Sequence, residues 1–291
     1  MSSRTVIRGM IVFYIFLFFL YLFGPLLVMS VTAFNTPNYP QAIPFEGFTL
    51  DWFVKLWNHR AMMEGLRNSI IIGLGVVAVS VPVGLAASII MSQIYHRARG
   101  IFYLVTISPV LTPGVIIGIS TVIFWKDMLG LTDVTKAVFY KGIILAILGQ
   151  SSFVAAYCLL IIMARLQRFD RAQEEAALDL GASYPQVFWH ILLPFLKPAM
   201  ISAGVIAFLS SFENYNTTTF AILADKTLVT VLAGEVRQGT TPALSALAVI
   251  IITISLVGAI IYEVMKRREE AAAQLSAEAA KLASLSEVPQ A

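Results

Sequence analysis

The sequence predicts an all-α integral membrane protein with six transmembrane helices. Three observations carry that prediction. Residues of the AVILMFWYC set make up 58% of the 291-residue chain and charged residues only 13%, where an ordinary soluble domain is about 25% charged. Its mean hydropathy is +0.81, more apolar surface than a water-soluble core of this length can hide. Long stretches free of charge recur along the sequence, and in lipid a helix satisfies its backbone hydrogen bonds within one segment.

Those stretches run Gly9–Phe45, Asn68–Tyr95, Gly100–Trp125, Gly142–Ala164, Pro198–Phe212 and Gln238–Tyr262. Crossing the hydrocarbon core takes roughly 20 residues. Five stretches reach that length, although the first carries a polar tail from Asn35 onward. The fifth is short and runs on into Glu213-Asn214-Tyr215-Asn216. The spans are therefore placed at residues 10–33, 69–93, 101–125, 143–164, 198–218 and 243–265. The first apolar run far exceeds the roughly 7–15 residues of a cleaved signal core, so it reads as a retained helix.

Lysine and arginine set the orientation. With the N-terminus inside, the inner segments hold Arg4, Arg8, Arg97, Arg99, Arg165, Arg168, Arg171, Lys197, Lys266, Arg267, Arg268 and Lys281, twelve of the 20 basic residues. That bias places both termini in the cytoplasm. It also accounts for the net charge of +3 without a nucleic-acid partner. Residues 1–268 then form one transmembrane domain in membrane lipid, and residues 269–291, rich in Ala and Glu, form a cytosolic helical tail. The outer loop at residues 35–67 reads as a packed external cap, with a docking surface as the other reading.

Nothing in the chain reads as a catalytic centre. The single cysteine, Cys158, sits in an apolar run and reads as a small buried hydrophobe. His59, His96 and His190 lie in separate loops without metal-ligand spacing. No Gly-x-x-x-x-Gly-Lys-Ser/Thr loop is present to cradle nucleotide phosphates. The chain is expected to be no enzyme, with no metal and no cofactor of its own.

The loop between spans four and five, residues 165–197, is the most informative segment. Asp170-Arg171-Ala172-Gln173 has the form of a capping box, and Ala172, Ala176, Ala177 and Leu180 follow on one helical face. Gly181 supplies a left-handed stop. Ser183-Tyr184-Pro185-Gln186 opens a second short, apolar helix that Pro194 closes, and Lys197-Pro198 begins the next span. Local chemistry thus predicts two short helices at a glycine elbow on the cytoplasmic face. The second rests on lipid, packs beneath the bundle, or forms a knob for a cytosolic partner.

Glu175-Ala176-Ala177, three residues, Gly181, nine residues, then Ile191-Leu192-Leu193-Pro194 resemble the EAA loop of the permeases of binding-protein-dependent ABC importers at every anchor. The resemblance covers roughly residues 5–268. It implies a type I ABC importer permease fold in a bacterial inner (cytoplasmic) membrane. It also implies that the loop is a coupling helix seated on an ATP-hydrolysing subunit, with Glu175 pairing with a basic residue there. Gly181 would form the elbow, Ala176 and Ala177 would allow close approach, and Ile191, Leu193 and Pro194 complete the motif. The implied partners are two ATP-binding subunits that hold the ATP and Mg, a second permease subunit in a heterodimer, and an extracytoplasmic solute-binding protein, periplasmic or lipid-anchored.

Polar groups at membrane depth mark a candidate substrate path. Gln150, Ser151 and Ser152 interrupt span four, and Glu213, Asn214 and Tyr215 end the apolar part of span five. The bland reading has Glu213 meeting water at a helix end. Leu166–Asp170, Gly181-Ala182-Ser183 and Thr241–Ala248 further resemble the spermidine/putrescine branch of these permeases. Members of that branch often carry two adjacent acidic residues where this chain has Glu213-Asn214. The single carboxylate leaves room for a monocation, a zwitterion or another small solute. A small, cationic or amine-containing solute is the cargo that the resemblance implies, and Tyr215 would add a cation–π contact. An ion-coupled secondary transporter and a membrane scaffold are the competing readings. The first wants ionisable relays in several spans, and the second leaves the two-helix loop without a purpose.

Overall fold

The computed structural model describes residues 3–128, 140–258, 260, 264 and 267. Among them the regular structure is α-helical apart from one isolated antiparallel bridge, Asn35 to Phe48. The expected cytosolic tail at 269–291 and the last turns of the sixth expected span lie outside the described residues. The chain divides into two compact units, one formed by both terminal segments and one by His59–Gln238.

In the terminal unit, α1 (Ser3–Phe34) carries apolar side chains on every face, and Phe13, Phe16, Phe19 and Leu20 are all exposed. A helix apolar all round is solvated by lipid, not water. At its end the chain folds back on one buried side chain. Asn35 Nδ2 donates to the carbonyls of Gln41 (2.9 Å) and Pro44 (3.1 Å), and its Oδ1 accepts from the amides of Thr36, Glu46 and Gly47. The indole of Trp52, buried on α2 (Asp51–Trp57), donates to the Asn35 carbonyl at 2.7 Å. The helix Pro242–Gly258 joins α1 through a hydrogen bond from Thr32 Oγ1 to Ser245 Oγ at 2.8 Å.

The His59–Gln238 unit is built on α3 (Arg60–Gln93), with α4 (His96–Leu111), α5 (Gly114–Met128) and α6 (Gly142–Leu166). α3 and α6 pack along each other, and a Cβ added at Gly84 would stand 2.5 Å from Cys158 Cβ. Small residues are what let helices approach this closely where lipid offers no hydrophobic drive. α3 starts at Arg60, nine residues before the expected span, because Arg60, Glu64 and Arg67 end the apolar run without ending helix propensity. At 34 residues it extends about 51 Å, beyond the hydrocarbon core.

Two expected spans are corrected. The third is not one straight helix at 101–125: α4 and α5 meet at a 101° bend. Pro113 disfavours helical backbone at the residue before it, and Thr112 is extended at φ −84° and ψ 131°. Each half is too short to cross a bilayer alone. The fifth begins earlier and stops sooner than 198–218. α7 (Ala172–Asp179) is separate, but α8 runs without interruption over Tyr184–Phe212, 29 residues. Pro194 therefore does not close a second short helix. Residues Phe188–Leu192 widen into a π-turn, with the Leu193 amide bonding the Phe188 carbonyl, and this wider turn accommodates a proline that would clash in a regular helix. α9 (Asn216–Ala221) and α10 (Leu228–Gln238) follow the break. Ile72, Val76, Leu145, Val154, Leu196 and Ala203 of α3, α6 and α8 form the buried core.

Candidate functional site

The loop after α6 is clamped at its root. The Arg165 guanidinium lies 4.3 Å over the Phe195 ring and its Nε donates to the Phe195 carbonyl at 3.3 Å. Phe169 packs on the same ring at 5.1 Å. Two spans and the loop between them therefore share one anchor. Asp170 Oδ1 accepts from the Ala172 amide at 3.0 Å, a tighter turn than the capping box expected there. On α7 no residue is buried, and Glu175 and Ala176 face outward.

Gly181 ends α7 at φ +90°. The Ala182 amide bonds the Ala177 carbonyl (3.0 Å) and the Gly181 amide bonds that of Leu178 (2.9 Å), the paired bonds of a Schellman stop. Gln186 Oε1 then accepts from both the amide and the hydroxyl of Ser183, starting α8. Between the two helices lies a crevice of about 450 Å³ that Gly181, Val187 and Ile191 help to line. Leu193 and Pro194 turn away from it and line an apolar groove of about 930 Å³ between α3 and α8, with Val77, Val81, Gly204 and Phe208. The motif's anchors thus divide between two surfaces. Leu180 (90% exposed), Tyr184 and Trp189 stand out as uncovered apolar side chains.

The second cluster is assembled at the break in span five. Gln150, 1% exposed on α6, accepts a hydrogen bond from Ser211 at the end of α8 and donates to Thr218 Oγ1 on α9 at 2.7 Å. Thr218 Oγ1 donates in turn to Asn214 Oδ1 at 3.3 Å, and Asn214 accepts from the amides of Thr217 and Thr218, starting α9. One side chain of α6 therefore pins both sides of the break. Thr217 fits a hollow left by glycines: a Cβ at Gly118 would stand 2.5 Å from its carbonyl oxygen, and one at Gly149 3.3 Å from its methyl. The hydroxyls of Ser151 and Thr217 are buried without a hydrogen-bond partner among the described residues.

Of the residues expected on the path, Gln150 and Asn214 are brought into one network, with Ser151 buried beside it. Glu213 stands exposed at the α8 terminus. The Tyr215 hydroxyl accepts from Arg237 Nη2 at 3.2 Å, so a cation already engages that ring's polar edge. Ser211 and Thr218 are not legible in the sequence as partners of Gln150, since only the fold brings them together. A polar run directly after an apolar one was the available signal. The clamp at Arg165 gave none.

Residues 80–270 match the family described as binding-protein-dependent transport system inner membrane component. The chain belongs to that family. It is therefore an inner-membrane permease subunit of an ABC importer. The chain is similar to the putrescine transport system permease protein PotI of Escherichia coli K12, at 28% identity over 87% of this chain and 89% of that protein. It is also similar to the spermidine/putrescine transport system permease protein PotC of Haemophilus influenzae, at 25% identity over 88% of this chain and 95% of the other. Among solved structures, a chain of a bacterial ABC transporter that imports the acidic polysaccharide alginate superposes with a TM-score of 0.66 at 19% identity, covering 90% of this chain and 95% of that one. A chain of the methionine ABC transporter MetNI matches at 0.51, with 18% identity over 72% of this permease and 93% of the other chain. These likenesses support the fold, in which α4 and α5 meet at a 101° bend and α8 gives way to α9 after Phe212.

Proposed function

We propose that this permease pairs with a second, non-identical permease subunit to form the path for a small amine-bearing cation of the polyamine class. ATP is hydrolysed on two separate subunits seated against Glu175–Pro194, and an extracytoplasmic binding protein delivers the solute. The reading is carried by the relatives, which match over nearly the full chain and are permeases of putrescine or spermidine/putrescine systems. Geometry supports the coupling half. A Schellman stop, a clamped root and uncovered Leu180, Tyr184 and Trp189 make a stiff, apolar-tipped projection of the kind a partner surface covers. Glu175 is exposed and free to meet a basic residue.

The cargo half rests on the break beyond Phe212. Glu213 offers one carboxylate beside Asn214 and the Gln150 network, and a single negative charge suits an amine. Arg237 at Tyr215 sets an opposing charge nearby, which favours a compact cation over a long, multiply charged one. The bias of basic residues supports a cytoplasmic placement of both termini and of the 165–197 loop.

The test is purification in mild detergent followed by reconstitution. An ATPase with a phosphate-binding loop should accompany the chain, and putrescine with its binding protein should stimulate ATP hydrolysis. Reproducible absence of such a subunit would refute the coupling assignment. Stimulation by a non-amine solute, with none by putrescine, would refute the cargo.

A further inference from the structure

A crevice of about 260 Å³ opens where α3 and α6 end and α4 begins, beside the 165–197 loop. Its wall on the membrane side is apolar, formed by Ile89, Met163 and Leu192. Its rim is polar and carries two guanidinium-bearing residues, Arg99 and Arg171. Arg171 Nη2 donates to the Ser92 carbonyl at 3.2 Å, which holds the side chain across the end of α3. Glu174 lines the crevice too, yet no salt bridge joins it to either arginine among the described residues. Neither rim arginine has an anionic partner within the described residues, so the rim keeps an excess of positive charge.

We infer that this crevice binds the phosphate-bearing headgroup of an anionic phospholipid. A basic pocket between span ends at the cytoplasmic interface is the chemistry that recognises such lipids. The apolar wall matches the glycerol and upper acyl chain, and the arginine rim can grip phosphate through several N–H donors at once. A carboxylate of a docked ATPase subunit fits less well, because it would leave the apolar wall of Ile89, Met163 and Leu192 behind the arginines without a match. The bound lipid would wedge between the end of α3 and the root of α7, and so bear on the clamp at Arg165. The inference is independent of cargo and of partner identity.

The test uses the full chain, purified from membranes with the subunits that accompany it and exchanged into mixed micelles of phosphatidylglycerol or phosphatidylcholine. Retained lipid is counted by native mass spectrometry. An arginine in direct contact with the headgroup contributes roughly fivefold to anionic-lipid binding, so Arg99→Gln with Arg171→Gln should lower the phosphatidylglycerol preference by roughly 25-fold. Arg99→Lys with Arg171→Lys should keep most of it. Arg168→Gln, an exposed arginine outside the crevice, should leave it unchanged. If the double glutamine protein is not recovered, each single variant should show its fivefold share. Equal retention of both lipids by the unaltered protein overturns the inference, as does a preference that survives both glutamines. Displacement by millimolar inorganic phosphate would reassign the site to a free anion. In the Arg171→Lys variant, an amide cross-link from that lysine to an activated carboxylate of a co-purified ATPase would reassign the site to that subunit.

Discussion

Replacing Gln150 by leucine tests whether the break in span five is held from α6. The substitution keeps the volume and removes both hydrogen bonds, from Ser211 and to Thr218. Interhelical hydrogen bonds within membrane proteins average about 0.6 kcal/mol, so the pair contributes about 1.2 kcal/mol. Relaxation lowers that figure. The Ser211 hydroxyl can turn to a carbonyl in the preceding turn of its own helix, and Thr218 keeps its contact with Asn214 at 3.3 Å. The expected loss is about 1 kcal/mol, read as the shift of the unfolding midpoint in mixed micelles titrated with a denaturing detergent. A double-mutant cycle with Thr218→Val isolates the pair and should return a coupling of about 0.6 kcal/mol. Additivity within about 0.2 kcal/mol would refute the network as an energetic unit. An unchanged midpoint for Gln150→Leu would refute the pin itself.

Four further outcomes follow from the same geometry. Gly142→Ala should destabilise by about 2 kcal/mol, the middle of the overpacking range, because its Cβ would fall 1.7 Å from the Ile222 carbonyl oxygen; a wild-type melting temperature would show that the turn simply moves aside. Arg165→Ala should lower transport-coupled ATP hydrolysis severalfold with assembly intact, and Arg165→Lys should recover only part, since it keeps a cation but not the planar donor to Phe195; full recovery would reduce the clamp to its charge. Glu175→Ala or Gly181→Pro should uncouple ATP hydrolysis from uptake without preventing membrane insertion, and normal coupling in both would sink the lever assignment. Glu213→Gln should shift the affinity or selectivity of uptake, and unaltered uptake would return Glu213 to the role of a solvated helix end.

Much of the fold was written in apolar length alone. The α6 span sits within two residues of its expected limits, because Lys141 and Arg165 bracket it in sequence and the helix has no internal proline. The bend at Thr112-Pro113 was legible in principle, yet the surrounding apolar run outweighed one proline. Pro194 misled for the opposite reason. A stop signal was present, but the π-turn ahead of it depends on the packing of α8 and not on local propensity. Site residues divided in the same way. Gly181 declared its conformation by being glycine at a helix end. Gln150 declared only that it was polar at membrane depth; its partners lie 61 and 68 residues away in sequence, and no local pattern names them.

The continuity of α8 through both prolines has a thermodynamic consequence. One helix of about 44 Å carries the proposed ATPase contact near Tyr184 and the Gln150 network at Ser211. Two ligands that each favour one position of the same helix have linked affinities. Whatever factor nucleotide closure imposes on solute binding at the far end, solute must impose on closure in return. Under the proposed function, a bound cargo molecule would be as much an effector of the ATPases as ATP is of the gate. Softening the rod between its ends, at the π-turn for instance, would lower both factors together and leave each isolated affinity in place.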